Sequence, residues 1–279
     1  MNSPRRLDCC VPVLRVSPED PRLADYRNVP DPELLASRGV FVAEGRHVVR
    51  RLLTESRFRT RSLLLTAAAL DVFGDVTGHV RDLPIFVVEQ SAMNDITGFN
   101  IHRGCLAIGE RPAPVPWTDI VRDARLVVVL EGVANADNVG GIFRNAAAFG
   151  ADAVLAGPSC TDPLYRKAIR TSMGAALRVP FAAMSGWPAD LIRLRERGFS
   201  VVALTPEPSA VPLYSCATAL RKERVALLLG HEGGGLSAGA LQAATVRVRI
   251  PTSDAVDSLN VAAAAAIALY ELRFMIHDS

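Results

Sequence analysis

Short apolar segments alternate with helical segments through the second half of the chain. The apolar segments are residues 126–130, 153–156, 199–204, 225–229 and 246–250. A strand that is apolar on both faces has to be covered on both faces, and strands of this kind alternating with helices are typical of a parallel sheet. We therefore predict an α/β fold with a parallel sheet in this half.

Helices are predicted over residues 139–149, from Asp162 onward, and over residues 258–275. Asp162 and Pro163 are residue types preferred at an N-cap and at the first helical position. The helix from residue 258 has no charged residue before Glu271, and a helix that is apolar all round is typically buried. We expect its small side chains to form a packed seam, within the unit or between subunits.

A proline-rich segment divides the chain. Residues 110–117 read ERPAPVPW, and prolines at alternate positions favour an extended, stiff connector. We predict an N-terminal module over residues 1–108, which mixes short helices and strands and begins with an irregular arm over residues 1–25. A linker over residues 109–118 and a C-terminal module over residues 119–279 follow.

The composition is that of an ordinary globular protein. Hydrophobic residues make up 49% and charged residues 22% of the 279 residues, which excludes global disorder and a disulfide scaffold. Apolar runs stay below the roughly 18 residues that cross a bilayer, and we expect neither a membrane partner nor a signal peptide. Because the five cysteines form no C-x-x-C pair and the histidines are scattered, we expect a cytoplasmic protein without a metal site.

The first of three motif clusters is EGVANADNVGGIFRNAAAFG, residues 131–150. Asn138 is either a helix cap or a site residue, and Arg144 is either a surface cation or a site residue. Since Arg144 lies in an otherwise uncharged helix, we expect it to have a specific partner. We also expect Asn138 and Arg144 to face the carboxyl ends of the strands, where ligands bind in sheets of this kind.

The other two clusters also follow predicted strands. LLLGHEGGGLS (227–237) contains four glycines and Glu232, and IPTSDAVDSLNVAAAAA (250–266) contains Ser258 and Asn260. The glycines allow a ligand to approach the backbone, or they form a flexible turn. A nucleoside triphosphate or nicotinamide site is disfavoured, because the glycine patterns of those sites are absent. His231 is interpreted as a loop residue and not as a general base.

These motifs together resemble a known family. The order N-x-G-x-x-x-R, L-G-x-E-G-x-G-L-S and I-P…S-L-N-V-A, between residues 131 and 266, resembles the SpoU (TrmH-like) RNA ribose methyltransferases of the SPOUT superfamily. Residues 26–53, with F-V-A-E-G-R-H-V-V near their end, resemble the small α/β RNA-binding domain often fused to these enzymes.

The resemblance implies a deep trefoil knot in the C-terminal module, an exception to the rule that chains are unknotted. It implies a homodimer whose active site draws on both subunits, and S-adenosylmethionine as the cofactor. The implied cofactor contacts are Thr205, Leu229, Gly230, Ile250 and Leu259, with Leu204 beside them. Two positions depart from the family pattern: Thr252 stands where Met is common, and Asp254 stands near a common Gly.

The resemblance also implies the catalytic set Arg144, Asn138, Glu232, Ser258 and Asn260. The implied reaction is methylation of a ribose 2′-hydroxyl in structured RNA. The N-terminal module mildly favours ribosomal RNA over transfer RNA, because it extends reach over a structured substrate. A non-catalytic RNA-binding or ribosome-assembly protein is the alternative on this fold, and the missing glycine fingerprint disfavours an oxidoreductase.

Two basic segments are predicted to contact RNA. Six arginines, beginning with Arg46, fall between residues 46 and 61, and Arg166 and Arg170 lie one turn apart on a predicted helix. Arginine side chains suit phosphate recognition. A solvated helix face is the alternative for both segments.

Overall fold

The chain folds into two compact units in the computed structural model, which describes residues 13–28, 30–77, 82–98, 101, 104–216, 219–220, 223–231, 233–253 and 258–277. The first unit comprises residues 1–112 with 164–166, and the second comprises residues 113–163 and 167–279. Each unit has its own sheet and hydrophobic core. No helix within these described ranges is long and apolar enough to cross a membrane.

The first unit contains a mixed sheet. Its strands are β1 (Val13–Arg15), β2 (Val40–Glu44), β3 (Thr60–Leu65), β4 (Ile85–Val87) and β5 (Cys105–Glu110). Its helices are α1 (Asp31–Ser37), α2 (Arg46–Thr54), α3 (Ala67–Thr77) and α4 (Gln90–Thr97), and a 3₁₀ helix spans Pro21–Tyr26. The strand order is β1-β4-β3-β5-β2, in which β1, β4 and β3 are parallel and β5 is antiparallel to both neighbours.

The arm predicted to be irregular over residues 1–25 is regular in its described part. β1 pairs in parallel with β4, and the N–H of Val16 donates to the carbonyl of Val87 at 3.2 Å. The 3₁₀ helix then buries Leu23 and Tyr26 in the core of this unit. The prediction was wrong because a three-residue edge strand is held by its partner strand, which local sequence does not reveal.

The second unit contains the predicted parallel sheet. Its strands are β6 (Leu126–Leu130), β7 (Ala153–Ala156), β8 (Phe181–Ala183), β9 (Phe199–Leu204), β10 (Val211–Pro212), β11 (Arg224–Leu229) and β12 (Val246–Arg249). The order is β10-β12-β9-β11-β6-β7-β8, and each neighbouring pair is parallel. The prediction of an α/β fold with a parallel sheet is confirmed.

Helices cover both faces of this sheet. They are α5 (Trp117–Ile120), α6 (Ala136–Phe149), α7 (Arg166–Thr171), α8 (Ala189–Glu196), α9 (Leu213–Cys216), α10 (Ala238–Ala243) and α11 (Val261–His277), with a 3₁₀ helix at Ala175–Leu177. Side chains of β6 alternate between two cores. Val128 and Leu130 lie in the core that contains α6 and α11, and Val127 and Val129 lie in the core that contains α8 and α10. Full burial of each such side chain stabilises the fold by about 1.5–3 kcal/mol.

Two helices begin at positions other than those predicted. α6 begins three residues early, because Asn135 Oδ1 accepts the N–H of Asp137 at 2.8 Å and caps it. The helix predicted to begin at Asp162 begins at Arg166 instead. Thr161 is tied to the chain after β6, since its N–H donates to the Val133 carbonyl at 3.0 Å, and this contact holds residues 161–165 in a turn.

The predicted linker is shorter in the structure. β5 extends to Glu110 and α5 begins at Trp117, so residues 111–116 lie outside regular secondary structure. The strand is extended because the N–H of Arg111 donates to the Gly39 carbonyl at 2.8 Å, which continues the pairing with the chain before β2.

The final helix is buried on one face only, and not all round as predicted. Its buried side chains pack against α6, and they are Val261, Ala265, Ala268, Leu269 and Leu272. On the other face Ile267 is 41% exposed and Tyr270 is 49% exposed. This helix therefore presents an apolar surface that the single chain does not cover.

Candidate functional site

The loops that follow β9, β11 and β12 meet at the carboxyl edge of the second unit's sheet. With the residues just before α11 they enclose a cavity of about 320 Å³, which we call the loop cavity. It is lined by residues 204–206, 229–231, 233, 235–236, 249–250, 252, 258–259, 261 and 264. Ligands bind at this edge of parallel sheets, and pockets for small molecules measure roughly 300–1,000 Å³.

The structure brings the residues predicted to contact a cofactor around this one cavity. Its lining includes Thr205, Leu229, Gly230, Ile250 and Leu259. Leu204, Ser258 and Thr252 line it as well. Glu232 and Asp254 lie outside the described residues.

The glycine-rich loop that forms one wall closes on itself. The N–H of His231 donates to the Gly235 carbonyl at 3.2 Å, and the N–H of Gly235 donates to the His231 carbonyl at 2.9 Å. A Cβ atom on Gly230 would lie 2.6 Å from the carbonyl carbon of Gly235 and 2.8 Å from the nitrogen of Leu236. Because these neighbours are backbone atoms, only glycine fits at residue 230 without moving the loop.

The lining of the loop cavity is chiefly aliphatic carbon and main chain. Arg249 contributes a cation, and its Nε donates to the Ala210 carbonyl at 3.2 Å. Acidic side chains are absent from the described part of the lining. Such a wall recognises a ligand by shape and by hydrogen bonds to main-chain groups.

Asn138 and Asn260 meet where α6 faces the start of α11. Asn260 Nδ2 donates to Asn138 Oδ1 at 3.0 Å, and Asn260 Oδ1 accepts the N–H groups of Ala262 and Ala263. Asn260 is therefore the N-cap of α11. Asn138 is not a cap, since it lies inside α6 and is buried. The pair joins the first motif cluster to the third.

Arg144 does not face the same way as Asn138. Six residues of α-helix turn the side-chain direction by about 120° net, and Arg144 is exposed while Asn138 is buried. Within the described chain Arg144 forms no hydrogen bond or ion pair and does not line the loop cavity, so the expected partner is not found there. Its neighbour Asn145 faces α11 instead, and its Nδ2 donates to the Ala262 carbonyl at 2.7 Å.

Glu131 supports the glycine-rich loop and was not predicted as a site residue. Its side chain follows β6 directly and is only 8% exposed. Oε1 accepts from Trp187 Nε1 at 2.7 Å, and Oε2 accepts the N–H of Ser237 at 2.9 Å. Buried carboxylates need such donors. The available signal was an acidic residue immediately after a wholly apolar strand.

Half of the arginine cluster of the first unit forms ion pairs. Three of its members contact carboxylates of this unit, and the pairs are Arg50–Asp75 at 2.6 Å, Arg59–Glu110 at 3.7 Å and Arg61–Asp25 at 3.3 Å. Arg46 begins α2, and its Nε is buried without a hydrogen-bond partner in the described structure. Among the residues of this unit that are predicted to contact RNA, Arg46 therefore has an N–H group that no described residue accepts.

The second predicted RNA-contacting segment forms α7. Arg166 groups with the first unit, where its Nε lies 3.8 Å from Glu44 Oε2. Arg170 is exposed in the last turn of the helix. Between them Lys167 Nζ contacts Asp137 Oδ2 at 2.7 Å. Groups of three or more residues able to hold a metal ion are absent from the described chain.

Comparison with known proteins agrees with these motifs. Residues 125–270 match the family model described as the SpoU rRNA Methylase family. An uncharacterized tRNA/rRNA methyltransferase of Mycobacterium tuberculosis is 45% identical over 258 residues, covering 91% of this chain and 89% of that protein. The 23S rRNA (guanosine-2′-O-)-methyltransferase RlmB of Ralstonia nicotianae is 30% identical over 196 residues, covering 69% of this chain and 76% of that protein.

A solved structure shares the fold over nearly the whole chain. The AdoMet-bound rRNA methyltransferase from Sinorhizobium meliloti is 27% identical and superposes with a TM-score of 0.80, covering 94% of this chain and 97% of that one. The family model, the two relatives and the solved structure all align with the part of the chain that contains the parallel sheet and the loops with the three motifs. The chain belongs to the SpoU rRNA Methylase family.

Proposed function

We propose that this protein is an S-adenosylmethionine-dependent methyltransferase that acts on the ribose 2′-hydroxyl of a nucleotide in ribosomal RNA. The observation that carries the proposal is the loop cavity, because the five residues expected to contact the cofactor come from four separate segments of the chain and line this one cavity. The printed names of the RlmB relative and of the AdoMet-bound structure support the substrate and the cofactor.

The residues of the loop cavity fit the cofactor. Aliphatic side chains, among them Leu204, Ile250 and Leu259, suit the faces of a purine ring, and main-chain groups near Gly230 suit its polar edge. Glycine at residue 230 lets the backbone of Gly235 and Leu236 pack directly against the end of β11, which keeps this wall of the cavity in place. When bound there, S-adenosylmethionine supplies an electrophilic methyl group on a sulfonium.

The chain's own residues position and activate the ribose hydroxyl. A guanidinium stays protonated in proteins, so Arg144 acts as a cation that lowers the free energy of the developing alkoxide and holds the neighbouring phosphate. The hydroxyl proton leaves to a phosphate oxygen or to water. Ser258 and Glu232 contribute from the loops, and the Asn138–Asn260 pair fixes the start of α11 beside Ser258.

Arg144 serves the loop cavity of a second copy in a homodimer. Its exposure, its position outside the loop cavity of its own chain and its lack of a partner in the described chain support this arrangement. The uncovered apolar face of α11, with Ile267 and Tyr270, supplies a surface for the second copy. Tyr270 packs edge-on against Phe149 of α6, so this surface adjoins the helix that carries Arg144.

The C-terminal half forms the deep trefoil knot of its family. The sheet order supports this, since β11 lies between β6 and β9, and α11 returns to pack against α6. The N-terminal module is a substrate-binding domain that contacts RNA through Arg46, and Arg166 and Arg170 extend that contact. The mixed sheet of the first unit and the connector at residues 111–116 support this division.

Methylation of defined transcripts tests the proposal. Purified protein is incubated with labelled S-adenosylmethionine and unmodified ribosomal or transfer RNA, and the RNA is digested to nucleosides. We expect a 2′-O-methylated nucleoside from ribosomal RNA. Methylation of transfer RNA alone would reassign the substrate. Absence of cofactor binding in a calorimetric titration would favour a non-catalytic RNA-binding protein.

A further inference from the structure

A second cavity adjoins the loop cavity in the same unit. It has a volume of about 400 Å³ and is lined by residues 132–135 after β6, by Lys167 of α7 and by His231. We call it the lysine cavity. His231 lines both cavities, so a ligand in one lies beside a ligand in the other.

Lys167 is held in place while most of its hydrogen-bonding capacity stays available. Its Nζ lies 2.7 Å from Asp137 Oδ2, and Thr171 Oγ1 donates to Asp137 Oδ1 at 3.0 Å. The bond from Lys167, followed by that from Thr171, lowers the pKa of Asp137, so the carboxylate stays ionised and keeps the lysine oriented. An ammonium has three N–H groups, the ion pair uses one, and the side chain is 55% exposed.

The choice of lysine at this position is unusual for the chain. Of its 31 basic residues only Lys167 and Lys222 are lysines. Lysine carries a compact point charge, whereas arginine carries a broad planar fork. A compact ammonium fits a cavity whose other described walls are residues 132–135 and His231.

His231 presents a donor with a fixed orientation. Its Nδ1 accepts the N–H groups of Gly233 at 2.9 Å and Gly234 at 3.1 Å. A nitrogen that accepts these bonds carries no proton, so the proton of the neutral ring is on Nε2. The ring is confined between Gly132 and Gly233, where added Cβ atoms would lie within 4 Å of it. Nε2, on the opposite side of the ring from the Cβ atom, therefore remains for a ligand.

Three acceptors around the lysine cavity already accept hydrogen bonds within the chain. The carbonyls of Val133 and Ala134 accept from Thr161 N and Thr161 Oγ1, and Asn135 Oδ1 accepts the N–H of Asp137. Acidic side chains are absent from the described lining. The cavity thus offers neutral donors and an ammonium that keeps N–H groups beyond its bond to Asp137, and these groups suit an anion with several acceptor oxygens.

We propose that the lysine cavity binds a phosphodiester group of the RNA backbone next to the ribose held beside the loop cavity. This inference rests on the proposed function and names a subsite for its substrate. Contacts to phosphate fix the register of a nucleic acid without reading its sequence. Lys167 and His231 are positioning residues for RNA and take no part in methyl transfer.

Lys167→Met tests the cation of this subsite. We expect the KM for unmethylated 23S rRNA transcript to rise about 10-fold, since a hydrogen bond to a charged group contributes that much. The slope of log affinity against log salt should become shallower by about 0.7–0.9, the loss of one phosphate contact. The kcat and the KM for S-adenosylmethionine should stay within about 2-fold of wild type, because only ground-state positioning is removed.

His231→Asn tests the neutral donor. Asparagine Oδ1 replaces Nδ1 as acceptor for the glycine N–H groups but offers no donor at the position of Nε2. We expect the KM for RNA to rise about 3-fold, as for loss of a neutral hydrogen bond, with the salt slope unchanged. A shallower slope in this variant would contradict the assignment of roles.

Arg122→Met is the matched control. Arg122 forms an exposed ion pair with Asp119 at 3.1 Å, and it precedes the amino end of β6, whereas the lysine cavity follows its carboxyl end. If Lys167→Met and Arg122→Met have the same KM for RNA and the same salt slope, the proposed subsite is overturned. Wild-type ribose methylation would still stand in that case. If the wild-type protein does not methylate RNA, the proposed function is overturned but the subsite is not. Filter binding would still measure how the affinity for RNA depends on salt.

Discussion

The two neighbouring cavities of the second unit differ in the chemistry of their walls. The loop cavity is formed by main chain and aliphatic side chains from four separate segments. The lysine cavity is formed by one continuous segment, residues 132–135, and by the side chains of Lys167 and His231. The first selects its ligand by shape, whereas the second selects by charge and by directed donors.

This difference separates the effects that substitutions and salt should have on the two cavities. A change in the loop cavity should act through steric fit and be insensitive to ionic strength. A change in the lysine cavity should act through charge and alter the salt dependence of RNA binding. His231 belongs to both, so its ring couples the fit of one ligand to the position of the other.

Arg144→Ala should give the largest effect, although Arg144 does not line the loop cavity of its own chain. Loss of a group that stabilises a developing oxyanion typically lowers kcat by about 10²–10³-fold. We expect that loss in single-turnover methylation, with the affinity for S-adenosylmethionine within about 2-fold of wild type because the loop cavity is intact. Turnover at the wild-type rate would contradict the role.

A mixture of two impaired variants, assayed at a concentration of S-adenosylmethionine near the wild-type Kd, sharpens this prediction. Arg144→Ala protomers keep the loop cavity, and Gly230→Ala protomers keep Arg144. If Arg144 acts on the second copy, a mixed dimer has one complete site, and random mixing restores about a quarter of wild-type activity in a twofold-symmetric dimer. If Arg144 acts within its own chain, no mixed dimer is active.

Gly230→Ala should weaken the binding of S-adenosylmethionine by changing the shape of the loop cavity. The new Cβ would meet main-chain atoms of Gly235 at 2.6–2.7 Å, and the resulting shift of the loop costs about 1–3 kcal/mol. We expect the Kd for S-adenosylmethionine to rise up to about 100-fold by calorimetry, with the salt slope of RNA binding unchanged. Gly74→Ala is the control, because nothing lies within 4 Å of its added Cβ.

The sequence predicted the second unit well because its signals are local. Strands such as Leu126–Leu130 and Phe199–Leu204 have the bounds that their apolar runs indicate. Glycine and asparagine motifs follow these strands, and the carboxyl ends of parallel strands share one edge. The loop cavity could therefore be placed from pattern and resemblance together.

The remaining features depend on contacts between distant segments. β1 exists through its pairing with β4, and the turn before α7 depends on Thr161 contacting the loop after β6. The lysine cavity joins residues from three segments, and its cation, Lys167, lies between the two arginines that are predicted to contact RNA. Glu131 is not predictable as a site residue, because a single carboxylate after a strand does not reveal which hydrogen-bond donors it will contact.

Glu131→Gln should give the smallest effect on the loop cavity. Glutamine accepts through one oxygen, so either Trp187 Nε1 or the N–H of Ser237 would face an amide donor, and leaving a buried donor unpaired costs about 1–3 kcal/mol. Part of that cost displaces the glycine-rich loop. We expect the Kd for S-adenosylmethionine to rise about 10-fold, with kcat at saturating cofactor nearly unchanged, because the loop recovers its position when the ligand binds.

Asp152→Asn distinguishes this positioning effect from a general loss of stability. Asp152 Oδ2 accepts the N–H groups of Arg125 at 2.7 Å and Leu126 at 2.9 Å, at the end of β6 opposite to Glu131. The same change from carboxylate to amide there should lower Tm without altering cofactor affinity. If the two variants weaken cofactor binding equally, Glu131 acts through the stability of β6. If only Glu131→Gln does so, its carboxylate sets the position of the glycine-rich loop.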